Sequence, residues 1–277
     1  MLEKILQDLT KEKKENNFPD FLIMNFLKEY LQYPVLNFIY KSEKYRNLIF
    51  TGGSCLRICH NLPRLSEDLD FDLDKRDFDI LDLENLEKEI VNYFKKQYSF
   101  EIKTKRQDKK RLYLKFPVLH RLGLNLEGSS DFLYVKIEPS TKQFENFGTE
   151  IQAVSNYGYN FIVKKYPLKE LMTGKIVAIF TREWFRGSRN EVDIKGRDFY
   201  DLFWYFQNEI KPDFKALDET LGIKDEKDLK MKLKQRIKER VTPLKLKRDL
   251  LNFIPDQEFA EDFCNNYKEL MSGFLNK

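Results

Sequence analysis

Between Asn47 and Leu73 the chain reads Asn47-Leu-Ile-Phe-Thr-Gly-Gly-Ser54, then Cys55-Leu-Arg-Ile-Cys-His60, and, beyond Arg64-Leu-Ser66-Glu67, Asp68-Leu-Asp-Phe-Asp-Leu73. A short apolar run that meets two glycines predicts a strand ending in a tight turn. Cys55, Leu56 and Cys59 follow at helical spacing, so a short helix leaves the turn. From Leu69 to Leu73 apolar and acidic residues alternate, as they do in a strand with one face buried. Strand, glycine turn, helix and second strand place this part of the chain in a mixed α/β class.

The same residues carry chemistry. Glycines at a strand-to-helix turn leave backbone N–H groups open to phosphate oxygens. On a strand, residues two apart share a face, so Asp68, Asp70 and also Asp72 crowd their carboxylates while Leu69, Phe71 and Leu73 pack behind. Such crowding repels unless a proton or a divalent cation relieves it. Hard oxygen ligands select Mg²⁺ or Mn²⁺. A calcium loop needs glycine at its sixth position, where this chain has Leu73. A sugar-nucleotide enzyme with an Asp-x-Asp pair stays open, as does an acidic edge strand that only discourages aggregation. In Leu133-Tyr-Val-Lys-Ile-Glu138 the residues Tyr134, Lys136 and Glu138 share a face, so Glu138 can add a third carboxylate from a neighbouring strand. Asp72 is the other candidate for that role.

Outward from this segment the chain divides. The 277 residues suit one large domain or two lobes, and 42% hydrophobic residues suffice for a core. The first 46 residues read as helical, Asp82 to Tyr98 as a helix, and Ser99–Thr104, Arg111–Phe116 and Phe132–Pro139 as strands. Beyond Pro167 the pattern is helical: one stripe through Leu168, Leu171, Met172, Ile176 and Ile179, a helix from Arg197 to Gln207, and a basic helix from Asp225 to Glu239. The expected plan is an α/β lobe over 1–165 and a helical lobe over 166–277. No apolar run approaches the ~18 residues of a membrane span, Met1 to Lys14 lacks a signal-peptide core, and three cysteines make no disulfide framework. A cytoplasmic protein without a membrane partner is expected.

Net charge is only +4, but it is unevenly spread. Glu67 to Glu89 holds eleven acidic and three basic residues, Lys103 to Arg121 eight basic and one acidic, and Lys224 to Asp249 eleven basic and five acidic. An acidic centre beside basic stretches suits metal ions and a polyanion, although any single run can be a solvated helix face.

Lys175 falls on the apolar stripe of its helix, so it either snorkels to the rim or points a fixed charge into a cleft. In Lys195-Gly-Arg-Asp-Phe-Tyr-Asp201, Asp198 and Asp201 share a helical face with Leu202 and Tyr205. An early aspartate also suits the helix dipole. The loop from Glu183 to Lys195 offers Arg186 and Arg189 to a substrate. Cys55, Cys59 and His60 suggest packing rather than zinc, because no fourth ligand is evident, and two histidines in all exclude a three-histidine metal site.

The run Gly52-Gly53-Ser54, Leu56, Arg64-x-Ser66-x-Asp68-Leu69-Asp70-Phe71 resembles the AbiEii/AbiGii family of nucleotidyltransferase toxins, within the DNA polymerase β-like nucleotidyltransferase superfamily. Lys175 in its helix and Lys195-x-Arg197-Asp198-x-Tyr200-Asp201 look like that family's later motifs. The match spans residues 20 to 207, and the last seventy residues add nothing to it. The resemblance implies a mixed sheet flanked by helices and a helical C-terminal lobe. It implies that Asp68 and Asp70, with Glu138 as a further ligand, bind Mg²⁺ or Mn²⁺. Gly52, Gly53, Ser54 and Ser66 would hold a nucleoside triphosphate, Lys175 would grip it from the other lobe, and Asp198 would complete the catalytic set. It further implies a type IV toxin–antitoxin pair used in phage defence, a cognate antitoxin, and tRNA 3′ ends as the acceptor. A transferase acting on a small molecule or a protein hydroxyl, and an inactive nucleotide- or RNA-binding module, are the alternatives. A salt-insensitive activity without RNA would mark the first, and nucleotide binding without product the second.

Overall fold

The computed structural model describes residues 2–108, 110–124, 130–183, 185 and 192–276. Two compact units divide the chain. The first comprises Met1–Glu145 and Thr149–Lys165, the second Asn146–Gly148 and Tyr166–Lys277.

The first unit opens with helices α1 (Leu2–Glu15) and α2 (Asp20–Lys41). It continues through β1 (Ile49–Thr51), α3 (Gly52–His60), β2 (Asp68–Leu73), α4 (Lys75–Ile80) and α5 (Leu83–Tyr98). Five strands complete the sheet with β1 and β2: β3 (Lys103–Gln107), β4 (Arg111–Pro117), β5 (Phe132–Thr141), β6 (Glu150–Asn156) and β7 (Tyr159–Lys165). The seven strands lie in the order β3-β4-β5-β2-β1-β7-β6. β1 runs antiparallel to β2 and parallel to β7, and β2 runs parallel to β5, so the sheet is mixed.

One face of this sheet is the core. Leu69, Phe71, Leu112, Leu114, Phe116, Leu133, Val135 and Ile137 are buried at alternate positions. They meet α2 and α5: Tyr40 packs 6.4 Å from Phe71, and Phe94 packs 5.2 Å from Phe116. The Asp82 carboxylate caps α5 by accepting from the amides of Glu84 and Asn85, so that helix starts where an aspartate precedes the apolar stripe Leu83, Leu86, Ile90 and Phe94. The Tyr40 hydroxyl lies 2.9 Å from the Leu48 carbonyl and 3.1 Å from that of Lys164, and so ties the start of β1 to the neighbouring strand β7.

The β6–β7 hairpin was not expected from sequence. Its two-residue turn, Tyr157-Gly158, has positive φ at both positions (49° and 79°), as a type I′ turn requires. Tyrosine is an unusual residue there. Its ring packs edge-on against Tyr30 and Tyr33, which offsets the cost of the left-handed backbone. The strand expected at Ser99–Thr104 begins instead at Lys103, because Ser99 takes a left-handed C-cap (φ 49°) after α5.

The second unit is helical: α6 (Leu168–Thr181), α7 (Gly196–Gln207), α8 (Phe214–Leu221), α9 (Glu226–Arg240), α10 (Pro243–Leu250) and α11 (Gln257–Leu275). Side-chain caps start the last four, from Asp213, Asp225, Thr242 and Asp256. α7 is gripped from α11, where the Tyr267 hydroxyl donates to the Phe199 carbonyl at 3.0 Å and Phe263 packs 5.0 Å from Tyr200. Among the described residues no helix is long and apolar enough to cross a membrane.

Candidate active site

In the first unit the chemistry gathers where β1 turns into α3 beside β2. Thr51 lies opposite Asp70 in the antiparallel pair. Gly52 has φ +73°, and a Cβ built there would stand 2.1 Å from Oδ2 of Asp70. The glycine therefore serves twice, for its left-handed backbone and for the space that the carboxylate fills. At Gly53 a Cβ would lie 2.7 Å from the Arg64 guanidinium and 3.0 Å from the Ser66 hydroxyl. Both motif residues thus pack against the first turn of α3. The buried Ser54 hydroxyl donates to the backbone carbonyl of Asp68, a short bond that pins the turn onto β2. Arg64, 2% exposed, donates to the Leu65 carbonyl at 2.9 Å, and Gln32 of α2 donates to the Ser66 carbonyl at 2.9 Å. The sequence reading gave Ser54 and Ser66 to the nucleotide. The structure places the Ser54 hydroxyl against β2 and the Ser66 hydroxyl against Gly53.

The parallel partner β5 sets Asp68 beside Lys136 and Asp70 beside Glu138. Glu138 does share the face of the aspartates, as the alternation expected. Its two oxygens are held by cations, Oε1 by Arg111 Nε at 2.8 Å and Oε2 by Lys136 Nζ at 2.6 Å. Lys136 also reaches Oδ2 of Asp68 at 3.0 Å. Burial alone would raise the Glu138 carboxyl, but Lys136 and Arg111 outweigh it and hold it below the usual range. Burial disfavours the Lys136 ammonium, yet Asp68 and Glu138 raise its pKa overall. Asp72, the other candidate third carboxylate, accepts from the Ser140 hydroxyl at 2.7 Å. Among the described residues no three His, Cys, Asp or Glu side chains converge as a metal cluster. Asp68 and Asp70 are the pair of carboxylates that the sequence puts forward as cation donors. That pair suits Mg²⁺, which is typically held by one or two carboxylates together with substrate phosphates rather than by an all-protein cage.

In the second unit Lys175 meets two carboxylates one helical turn apart on α7. Its Nζ lies 2.7 Å from Asp198 Oδ1 and 2.8 Å from Asp201 Oδ2. The sequence offered Lys175 no protein partner, whereas the fold supplies two, and the lysine does not snorkel: it is 12% exposed. Arg182, just past α6, pairs with the other Asp198 oxygen. Burial would push the Asp198 carboxyl up, but Lys175, then Arg182 and Lys195, hold it well below its ordinary value. Lys195 itself is lowered by burial and by the nearby Arg197. Arg186 and Arg189, offered above as substrate contacts, lie outside the described residues.

The C-terminal seventy residues are not idle. Asp249 of α10, 2% exposed, accepts from the Arg197 amide at 2.9 Å and pairs with its guanidinium at 3.3 Å. The guanidinium also sits 3.8 Å over the Phe253 ring. Gly196 permits this approach, since a Cβ there would lie 3.1 Å from the Leu246 carbonyl. Arg111, Lys136, Arg182, Asp201 and Asp249 were missed as site residues. Only Lys136 and Asp201 carried a sequence signal, through strand alternation and helical spacing.

A glycine turn at a helix start beside two aspartates on the neighbouring strand is an arrangement that suits phosphoryl or nucleotidyl transfer. A family model described as "Nucleotidyl transferase AbiEii toxin, Type IV TA system" matches residues 36–276, and the chain belongs to that family. The match runs through the C-terminal helices, beyond the limit of residue 207 expected from the motifs, consistent with Asp249 holding Arg197. Similar solved structures include a candidate nucleotidyltransferase from H. pylori, at 19% identity and a TM-score of 0.45, covering 87% of this chain and 93% of that one. JHP933 from Helicobacter pylori is 20% identical with a TM-score of 0.45, covering 87% and 90%. No match was found among curated proteins.

Proposed function

We propose that this protein is a divalent-cation-dependent transferase that moves a nucleoside monophosphate from a nucleoside triphosphate onto the hydroxyl at the 3′ end of tRNA. On this reading it is the cytoplasmic toxin of a phage-defence pair, restrained by a cognate antitoxin. The observation that carries the reading is the Asp70 carboxylate seated against Gly52 at the amide-bearing start of α3. Carboxylates alone repel a triphosphate, and amides alone do not orient one. A glycine turn with two aspartates beside it provides for both.

The contacts support the following roles. Backbone amides of Gly52 and Gly53 hold triphosphate oxygens, and the Ser66 hydroxyl packs against that turn. The Ser54 hydroxyl keeps α3 registered on β2. Asp68 and Asp70 hold Mg²⁺ or Mn²⁺, with Glu138 drawn off toward Arg111 and Lys136. When bound, the cation supplies charge neutralisation and orientation for the triphosphate. The acceptor oxygen bonds to the α-phosphorus as the bond to the pyrophosphate oxygen breaks, and the hydroxyl proton is released. Lys175 and Asp198 serve the same transfer, Lys175 as the triphosphate cation and Asp198 as the group that orients it.

The test is incubation of purified protein with tRNA, Mg²⁺ and each labelled nucleoside triphosphate in turn. Label should appear on tRNA and be lost in Asp68→Ala. A folded wild-type protein that labels no RNA with any nucleotide would overturn the reading. RNA-independent, salt-insensitive transfer would point to a small-molecule or protein acceptor.

A further inference from the structure

The sheet face that carries Asp68 and Asp70 continues, uncovered by α2 and α5, across β5, β4 and β3. Thr104 and Arg106 turn the other way, onto Glu87 of α5, and so fix which β3 residues face outward. Those are Lys103 and Lys105, both exposed. Register extends the outward set without a break: Lys103 lies opposite Lys115, and Lys115 opposite Tyr134. In the adjoining row Lys105 lies opposite Tyr113, Tyr113 opposite Lys136, and Lys136 opposite Asp68. One line of side chains therefore leads from the sheet edge to the metal-binding aspartate.

Cations and aromatic rings interleave on this face. The ammonium groups of Lys103 and Lys115 stand 5.4 and 5.9 Å from the Phe132 centroid, and Lys115 stands 5.8 Å from that of Tyr134. Tyr134 is 36% exposed. Among the described residues Lys103, Lys105 and Lys115 have no carboxylate partner. Two lysines directly opposite on neighbouring strands repel each other, and a polyanion relieves that cost. Lysine on an exposed edge strand can be explained as protection against edge pairing. That account covers Lys103 and Lys105 on β3 but not Lys115 and Tyr134, which lie on interior strands where no edge needs protection.

We propose that the open face of β3, β4 and β5 is a platform for single-stranded RNA, which stacks bases on Tyr134 and Tyr113, pairs phosphates with Lys103, Lys105 and Lys115, and delivers a 3′ hydroxyl toward Asp68 and Asp70. Stacking with cation support is the general way that proteins hold single strands without reading sequence. The proposal rests on the RNA-acceptor reading above and adds the surface that makes it work.

The test compares wild type with Tyr134→Ala, with Lys105→Gln/Lys115→Gln, and with Lys227→Gln/Lys238→Gln on the basic face of α9, all at surface positions. Binding of a fluorescein-labelled short single-stranded RNA is measured by anisotropy across a salt series. Transfer to tRNA is followed under varied tRNA, and nucleotide affinity by calorimetry. Tyr134→Ala should weaken RNA binding about tenfold, the usual scale of one lost stacking contact. The β-sheet lysine pair should lower the salt slope by about 0.7 for each cation removed. KM for tRNA should rise while kcat at saturating tRNA and nucleotide affinity hold, and the α9 pair should leave all of these near wild type. Wild-type RNA affinity in the sheet variants, or a loss confined to the α9 pair, overturns the platform while leaving the acceptor reading intact. A wild-type enzyme that uses a non-RNA acceptor and binds no RNA overturns both.

Discussion

The Asp70 carboxylate occupies the space that any side chain at position 52 would need, with Oδ2 only 2.1 Å from where a Gly52 Cβ would stand. Gly52→Ala must therefore push the Asp70 carboxylate, the proposed cation ligand, out of place, and it must also hold alanine at φ +73°. The backbone conformation alone costs about 1–3 kcal/mol. Displacement of a reacting-site group by about 1 Å costs roughly a hundredfold in rate. Thermal melting and labelled-nucleotide transfer should show a modest fall in stability and a near-complete loss of activity. An alanine variant with wild-type turnover would show that Asp70 need not sit against the turn.

The Glu138 contacts predict an acid limb of stability. Its carboxyl is depressed in the folded protein by Lys136 and Arg111, so its contribution is present above the ordinary carboxylate range and is lost as pH falls through the depressed value. Lys136 is raised, so its contribution is present below the ordinary lysine value and lost on the alkaline side. The stability gap between wild type and Glu138→Gln should be widest from roughly pH 5 to 10, and should close as acid protonates Glu138. Melting curves across pH check this. A gap that persists unchanged at the acid end would mean the ion pairs do not set it.

Asp249 should behave as a positioning residue. It is buried and holds both the amide and the guanidinium of Arg197, directly before Asp198. Asp249→Ala removes a buried carboxylate from the 11%-exposed Arg197 guanidinium, at a cost of about 3 kcal/mol. Asp249→Asn keeps an oxygen for the Arg197 amide and should cost less, about 1–2 kcal/mol. Denaturant titration should give that order, with kcat falling further than stability at a temperature where both variants are folded. Equal losses for the two variants would exclude the amide contact as the reason for the aspartate.

These cases also explain how much could be read from the chain. Strand, turn and paired carboxylates were legible because Gly52-Gly53-Ser54 and Asp68-Leu-Asp-Phe-Asp-Leu73 are local patterns, with periods set by backbone geometry. Glu138 was legible as a same-face residue, but its capture by Arg111 was not, because antiparallel register across β4 decides which residue sits opposite. The β6–β7 hairpin was hidden by Tyr157, whose left-handed backbone is supported by rings on α2, far away in sequence. Asp249 was hidden for the same reason: its partner is 52 residues earlier, and only the close approach of α7 and α10 at Gly196 brings them together.

Lys175 gives the prediction that differs most from what its sequence position suggests. A lysine awaiting a triphosphate would be removable without harm to the fold. Here its ammonium lies between Asp198 and Asp201, both buried, so Lys175→Met takes a shared cation from two carboxylates one turn apart, while Arg182 stays against Asp198. Breaking a buried pair in this way costs about 3–5 kcal/mol, and the retained Arg182 contact puts the expectation at the low end, about 3 kcal/mol. Adding Asp201→Asn to Lys175→Met removes one of the two carboxylates that shared the lysine and should restore part of the stability, while transfer stays lost. Asp201→Asn alone keeps the Lys175–Asp198 pair and should cost little stability. Guanidinium melts of the two single variants and the double variant give the coupling between positions 175 and 201. Additive losses would show that the lysine and Asp201 do not act as a pair, and a stable, inactive Lys175→Met would return the lysine to a role in substrate binding alone.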